Sequence, residues 1–220
     1  MTDPPAADPA GLLRRLVRVA PRSRLRGRAG SGGELWFLIS GRGRLAAGDA
    51  GPGGLSAAVG PDTGVWLPPR SGYRLEADPG AGLAFDAVTL PPAKPGSAAA
   101  AGPPCLSELR DCAVERTGDR RFRVLLGPGR GCAAATQFVG EIPPGKAPEH
   151  SHPYDEMVLV LEGTGVAHAR GGDRPLAPGA RVHLPPGLPH CLENTGPGLL
   201  VVLGVFHPGG SPAVKQESSR

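Results

Sequence analysis

The chain has 220 residues, with 24 Lys and Arg against 20 Asp and Glu, for a formal net charge of +4. That length can bury a real core, as one large domain or as two small ones. No apolar run approaches the ~18 residues of a membrane-spanning helix, and the charge is too modest to demand a polyanionic partner by itself.

Residues 1–10 are acidic and proline-rich, the opposite of a basic segment followed by an apolar one, and read as a disordered tail. Cys105, Cys112, Cys132 and Cys191 form no C-x-x-C pair. With no leader peptide recognisable, the expectation is a cytoplasmic protein with reduced thiols. Arg14, Arg15, Arg18, Arg22, Arg24, Arg26 and Arg28 crowd into fifteen residues. They could form an anion-binding patch, but no aromatic stacking platform accompanies them, and no nucleic-acid partner is expected. Solvent-facing positions of edge strands, where charge blocks unwanted pairing, account for them more simply.

From residue 11 to about 92 the apolar residues come in short runs, LVRVA, ELWFLIS, GVWLPP, YRLEA and LAFDAVTL, separated by Gly and Pro. Such runs read as strands joined by tight turns. Residues 93–119 read as a linker, Pro- and Ala-rich at first, with a short helix predicted over CLSELRDCAVERT at 105–117. Strand-like runs resume over 120–210, and 211–220 form a polar, flexible tail. With 35 Gly and 27 Pro, and Arg well ahead of Lys, the composition is also what a GC-rich bacterial genome gives.

The two halves repeat each other. A shift of 122 residues lays Glu34, Gly41 and Gly43 on Glu156, Gly163 and Gly165. A shift of 117 lays LPPRSGYRLE at 67–76 on LPPGLPHCLE at 184–193. The expectation is an all-β protein of two similar units. The same shifts put Arg28 and Gly30 opposite His150 and His152, and Tyr73 opposite His190. All six histidines lie in the second half, so the first half reads as a metal-free copy, either structural or holding an anion.

In the second half, His150, His152, Glu156 and Gly163 form the pattern H-x-H-x3-E-x6-G. Gly179, Pro185, Gly187, His190 and Asn194 form G-x5-P-x-G-x2-H-x3-N. Residues two and four apart on a strand share a face, so three imidazoles and a carboxylate can converge inside the fold. This donor set suits one divalent transition metal, with Fe(II), Mn(II) or Ni(II) favoured and Cu(II) or Zn(II) open. One or two positions would remain for substrate, water or dioxygen. His168, Arg181, His183 and His207 are candidate groups near the site, and Cys191 should face away from His190.

These two motifs resemble those of the cupin superfamily, the second at every defined position. In the first, the leading glycine is one place late, at Gly145 instead of position 144. With the degenerate first copy the resemblance is to a bicupin. It implies two double-stranded β-helix (jelly-roll) barrels in tandem, with His150, His152, Glu156 and His190 binding the metal in the second. Three functions are consistent with it. One is an oxygenase or dioxygenase acting on a small organic molecule, with Glu156 also able to act as a catalytic base. Another is a non-redox isomerase, lyase or cyclase using the metal as a Lewis acid. The third is a non-catalytic small-ligand-binding protein. A homodimer is possible, and oxalate decarboxylase-like chemistry is disfavoured because those larger bicupins usually keep ligands in both halves.

Overall fold

The computed structural model describes residues 6–7, 11–48, 53–92 and 102–213. The chain divides into two compact units, Met1–Asp111 with Pro128–Ala134, and Cys112–Gly127 with Ala135–Arg220. Both are built from strands, as the short apolar runs lead one to expect. Among the described residues no helix is long and apolar enough to cross a membrane.

The first unit contains β1 (Ala6–Ala7), β2 (Leu13–Val19), β3 (Arg24–Arg28), β4 (Glu34–Ser40) and β5 (Gly43–Ala47). It continues with β6 (Leu55–Val59), β7 (Thr63–Leu67), β8 (Gly72–Ala77), β9 (Leu83–Thr89) and β10 (Cys105–Glu108). They form a six-stranded sheet in the order β1-β2-β9-β4-β7-β10 and a four-stranded sheet in the order β3-β8-β5-β6. Trp36, Leu38, Leu45, Val65, Leu67, Leu75 and Phe85 are buried in a single core cluster. Alternation decides which residues enter it. In β3 the arginines at 24, 26 and 28 are exposed, while Leu25 and Gly27 turn inward.

The second unit contains β11 (Glu115–Thr117), β12 (Arg120–Leu126), β13 (Thr136–Ile142), β14 (Gly145–Lys146) and β15 (Asp155–Glu162). Then come β16 (Gly165–Ala169), β17 (Arg174–Leu176), β18 (Arg181–Leu184), β19 (His190–Asn194) and β20 (Leu200–His207). Its sheets run β11-β12-β13-β20-β15-β18 and β14-β19-β16-β17. The core here has two parts. Val158, Val160, Val182, Leu192 and Val202 belong to an aliphatic cluster, and Phe122, Phe138, Tyr154 and Phe206 to an aromatic one.

Without β10 and β11, the strand orders of the two units correspond one for one. Their registers correspond as well. Glu34 pairs with Leu67 and Glu156 with Leu184, and Ala47 pairs with Tyr73 as Ala169 does with His190. The register between β4 and β9 shifts between Leu38 and Ser40, and that between β15 and β20 shifts at the equivalent Val160 and Glu162. Gly41 and Gly163 have φ of +79° and +84°. A Cβ at either would meet a backbone carbonyl, of Gly82 or of Leu199, so both copies need glycine there. The shifts of 122 and 117 residues are therefore structural equivalences.

Four expectations change. The helix predicted over 105–117 is absent: Cys105–Glu108 pair with Thr63–Trp66, and only Leu109–Asp111 make a 3-10 turn. The linker assigned to 93–119 is accordingly narrower, since β10 belongs to the first unit and β11 pairs with β12 in the second; residues 93–101 lie outside those described. Of the tail at 1–10, Ala6 and Ala7 pair with Arg14 and Leu13; its other residues, and 214–220 of the C-terminal tail, also lie outside. Finally, Arg14 is not solvent-facing. Its Nε donates to both carboxylate oxygens of Asp86 at 2.9 Å, and both side chains are buried.

Candidate metal site

Chain geometry brings the second unit's histidines together from two directions. His190 opens β19, while His150 and His152 precede β15. His150 and His190 exchange both backbone hydrogen bonds, at 3.0 and 2.9 Å, which places their side chains next to each other. Their rings have centroids 4.6 Å apart, and those of His152 and His190 are 4.9 Å apart. Glu156 enters from β15 on the same inward face as Val158 and Val160.

Each imidazole is anchored through Nδ1. His150 faces the Pro148 carbonyl at 3.1 Å, His152 that of Tyr154 at 2.8 Å and His190 that of Leu188 at 2.8 Å. A carbonyl only accepts, so Nδ1 must carry the proton in all three, which leaves each Nε2 with a bare lone pair when the ring is neutral. His152 Nε2 stands 2.9 Å from Glu156 Oε2. His190 Nε2 stands 3.5 Å from the same oxygen, is buried, and has no hydrogen-bond partner. Lone pairs converging on a carboxylate repel unless a proton or a cation lies among them.

The donor atoms of His152, Glu156 and His190 all lie within 4.8 Å of one another. Neighbouring ligands around a metal with bonds of ~2.1 Å stand about 3 Å apart, close to the separations observed. The residues present therefore fit a divalent transition metal. His150 lies outside this tight cluster but lines the same cavity. Two imidazoles and a carboxylate form the core of the site, with a third imidazole beside them.

The electrostatics agree with that fit. Burial alone would raise the Glu156 pKa, but its contacts with His152 and His190 more than reverse this and hold it at about 2. Burial pushes His150 down to about 4, against the hydrogen bond to Pro148. His190 is also penalised by burial, yet the Glu156 carboxylate brings it above its ordinary value. Tyr154, desolvated and facing Glu156, is pushed up to about 12.

The cavity has a volume of about 70 Å³. Phe122, Phe138, Phe206, Ile142 and Val202 form its apolar wall, and Arg120 reaches it from β12. Aromatic packing fixes the His152 ring, which stacks on Tyr154 at 4.4 Å and lies 5.4 Å from Phe206. Tyr154 in turn donates from its hydroxyl to the Ser211 carbonyl at 3.1 Å.

The remaining candidates do other things. Asn194 donates to the carbonyls of Ile142 and Gly198 at 2.8 and 2.7 Å and accepts from Gly196 N–H at 2.9 Å, so it is a structural clamp. His168 lies between Asp173 and Glu193, at 2.8 and 2.7 Å. His183 meets Asp155 at 2.8 Å, and Arg181 is exposed. None of His168, Arg181, His183 or His207 lines the cavity. Cys191 is buried opposite His168, and none of the four cysteines, all among the described residues, is in a disulfide. The spacing of the motifs does not reveal Arg120. The signal available is parity: Arg120, Phe122 and Val124 alternate with Arg121 and Arg123.

In the first unit, one sequence equivalence is corrected by a residue. His150 pairs with His190, but it is Gly27, not Arg28, that pairs with the equivalent Tyr73. The pairing of β14 and β19 gains one residue before His150, which a fixed shift does not register. Arg28 is exposed and donates to the Arg70 carbonyl at 3.0 Å, so it does not occupy the place of a ligand. That place is filled by Tyr73, whose ring meets Trp36 edge-on at 4.7 Å. Glu34 is buried, accepting from Trp36 Nε1 at 2.9 Å and from Arg15 Nη2 at 3.3 Å.

An all-β fold with a buried His/Glu/His cluster at one end of its second unit is the class of molecule these observations define. Residues 138–206 match the family model described as Cupin domain. No curated protein matches the chain by sequence. Among solved structures, oxalate decarboxylase from Bacillus subtilis at pH 4.6 is similar with a TM-score of 0.74 at 15% identity, over 91% of this chain and 69% of that chain. A single-substitution variant of the same enzyme gives 0.74 at 16% identity, over 91% and 70%. The domain match is confined to residues 138–206 of the second unit, and the solved structures share the fold.

Proposed function

We propose that this protein is a metal-dependent cupin enzyme, an oxygenase of a small organic molecule, with its metal in the second of two tandem cupin barrels. In this reading the first barrel is a copy whose ligands are lost. The observation that carries the proposal is the set of three imidazoles, each anchored through Nδ1, gathered with Glu156 at an apolar cavity. His150, His152, Glu156 and His190 would hold the ion. Fe(II) is favoured, and Mn(II), Ni(II), Cu(II) and Zn(II) use similar donors. When bound, it would supply open coordination positions where substrate and dioxygen can meet.

The chain's own residues do the rest. The carbonyls of Pro148, Tyr154 and Leu188 hold the imidazole tautomers, and the phenylalanines exclude water and admit an apolar substrate. Glu156, with its pKa near 2, remains an anion throughout the neutral range. Among the described residues, Glu156 is the carboxylate that lines the cavity, and its tyrosine is held at about 12. That poverty of acid–base groups favours an oxygenase over an isomerase or cyclase, which must move protons near neutrality. Likeness to oxalate decarboxylase in fold keeps a lyase as the second reading.

The test is turnover of small acids and ketones by Fe(II)-loaded protein, monitored in air and under argon. Oxygen uptake matched to product, and lost in His190→Ala, is expected. Undiminished turnover under argon would transfer the protein to the lyase reading. Turnover surviving in His150→Ala would remove that residue from the ligand set.

A further inference from the structure

We infer that the cavity takes a short-chain carboxylic acid, with Arg120 gripping its carboxylate and the phenylalanine wall receiving its alkyl body. This rests on the proposal that the cavity is the substrate site, and it adds the class of substrate. The first observation is one of pairing. β12 carries three arginines, and two of them are satisfied by one carboxylate: Arg121 and Arg123 each meet Glu141 at 2.8 Å. Arg120, by contrast, has no hydrogen-bond or ion-pair partner among the described residues, and its Nε is buried. A desolvated guanidinium nitrogen without a partner is costly, and an anionic ligand would remove that cost.

The second observation is direction. Arg120 shares its strand face with Phe122, which is buried in the aromatic cluster; Arg121, from the other face, also borders the cavity but is held by Glu141, and Arg123 does not border it. Arg120 lines the cavity that also contains His150, His152, Glu156 and His190. A ligand in this space thus meets a planar cation with forked donors, which suits the two oxygens of a carboxylate. The volume limits the alkyl body that the carboxylate can carry. About 70 Å³ is roughly half of what holds a benzene ring, so the body is restricted to about three or four carbons.

Isothermal titration calorimetry of the metal-loaded and the metal-free protein with isobutyrate, its neutral isostere isobutyramide, and inorganic phosphate tests this. Isobutyrate should bind roughly 10- to 100-fold more tightly than isobutyramide, the range for a charge-assisted hydrogen bond. Arg120→Leu and Arg120→Gln should abolish that preference, and Arg120→Lys should keep part of it. Equal binding of acid and amide, or a preference that survives both neutral variants, would overturn the inference. So would phosphate binding more tightly than isobutyrate. A protein that takes up no metal, yet shows an Arg120-dependent preference for the acid, would retain this inference and lose the metal-enzyme reading. If Arg120→Leu does not fold, Arg120→Gln carries the same comparison.

Discussion

Where the second unit sets Glu156 among imidazoles, the first sets Glu34 among an indole, a guanidinium and a threonine hydroxyl. The backbone frame is the same in both, down to the residue opposite each glutamate, Leu67 or Leu184. What differs is how the carboxylate is satisfied. Glu34 accepts from donors that carry their own protons, so its surroundings are complete. Glu156 faces nitrogens whose protons are committed elsewhere, and one of them, His190 Nε2, is buried without a partner. The same backbone frame can therefore hold a buried carboxylate by side-chain donors in one unit and set it among imidazoles in the other. Tyr73 and Trp36 fill the space with rings where the other unit keeps an open cavity.

The sharpest way to break this comparison is to make the same substitution at both glutamates. Glu156→Gln removes the anion from the candidate site and should lower metal affinity by more than about 100-fold, since even the loss of an outer-shell partner costs 10- to 100-fold. Glu34→Gln should leave metal content unchanged. Its effect should appear in stability, at about 1–3 kcal/mol in urea unfolding, because it weakens contacts to Arg15 and Trp36. Equal loss of metal in the two variants would show that the units are not functionally distinct.

Asn194 offers the next contrast, for Ala77 stands at the equivalent place opposite Gly43. Asn194→Ala removes three hydrogen bonds of a buried side chain, including those to the turn at Gly196 and Gly198, and should cost about 2–3 kcal/mol. A cost below 0.5 kcal/mol, within the usual range of neutral surface changes, would contradict its role as a clamp.

A smaller effect is expected from filling the gap over Tyr73. A Cβ at Gly27 would stand 2.5 Å from the Tyr73 hydroxyl, so Gly27→Ala should destabilise the first unit by about 1–2 kcal/mol through overpacking. Metal content should not change. An unaltered unfolding midpoint would mean that the tyrosine ring does not hold that space.

The least of these effects concerns pH. His168, held between Glu193 and Asp173, has its pKa raised above the ordinary 6.5 by those two carboxylates. A raised folded-state pKa stabilises fully below about 6.5 and loses its contribution as pH climbs through the higher value. His168→Gln should therefore reduce stability near pH 6 more than near pH 9, as read from unfolding midpoints. The opposite pH dependence would show that the two carboxylates do not hold the charged ring.

Much of this is legible in the chain because it depends on local parity and spacing. His150, His152, Glu156 and His190 stand out as two linked motifs, and the structure brings three of them into a tight cluster with the fourth beside it. The repeat is legible because Gly41 and Gly163 are required by the same close approach of backbone. What escapes depends on pairing across long separations. A four-residue segment such as Cys105–Glu108 has no usable periodicity, and its partner at Thr63–Trp66 lies some forty residues earlier. The extra residue before His150 is invisible to a constant shift, which therefore matches Arg28 to a position that Gly27 occupies. Arg14 resembles its exposed neighbours in sequence because nothing local announces Asp86. Arg120 is hidden among the three arginines of β12 until Glu141 is seen to satisfy only the other two.

The central claim is that one unit holds a metal and the other has replaced it with side-chain donors. Elemental analysis of the purified protein tests this most directly, before and after equilibration with Fe(II), Mn(II), Ni(II) or Zn(II) and removal of excess ion. About one ion per chain is expected, falling to none when His152→Ala and Glu156→Gln are combined. Two tightly held ions, or one that persists in the double variant, would contradict the account.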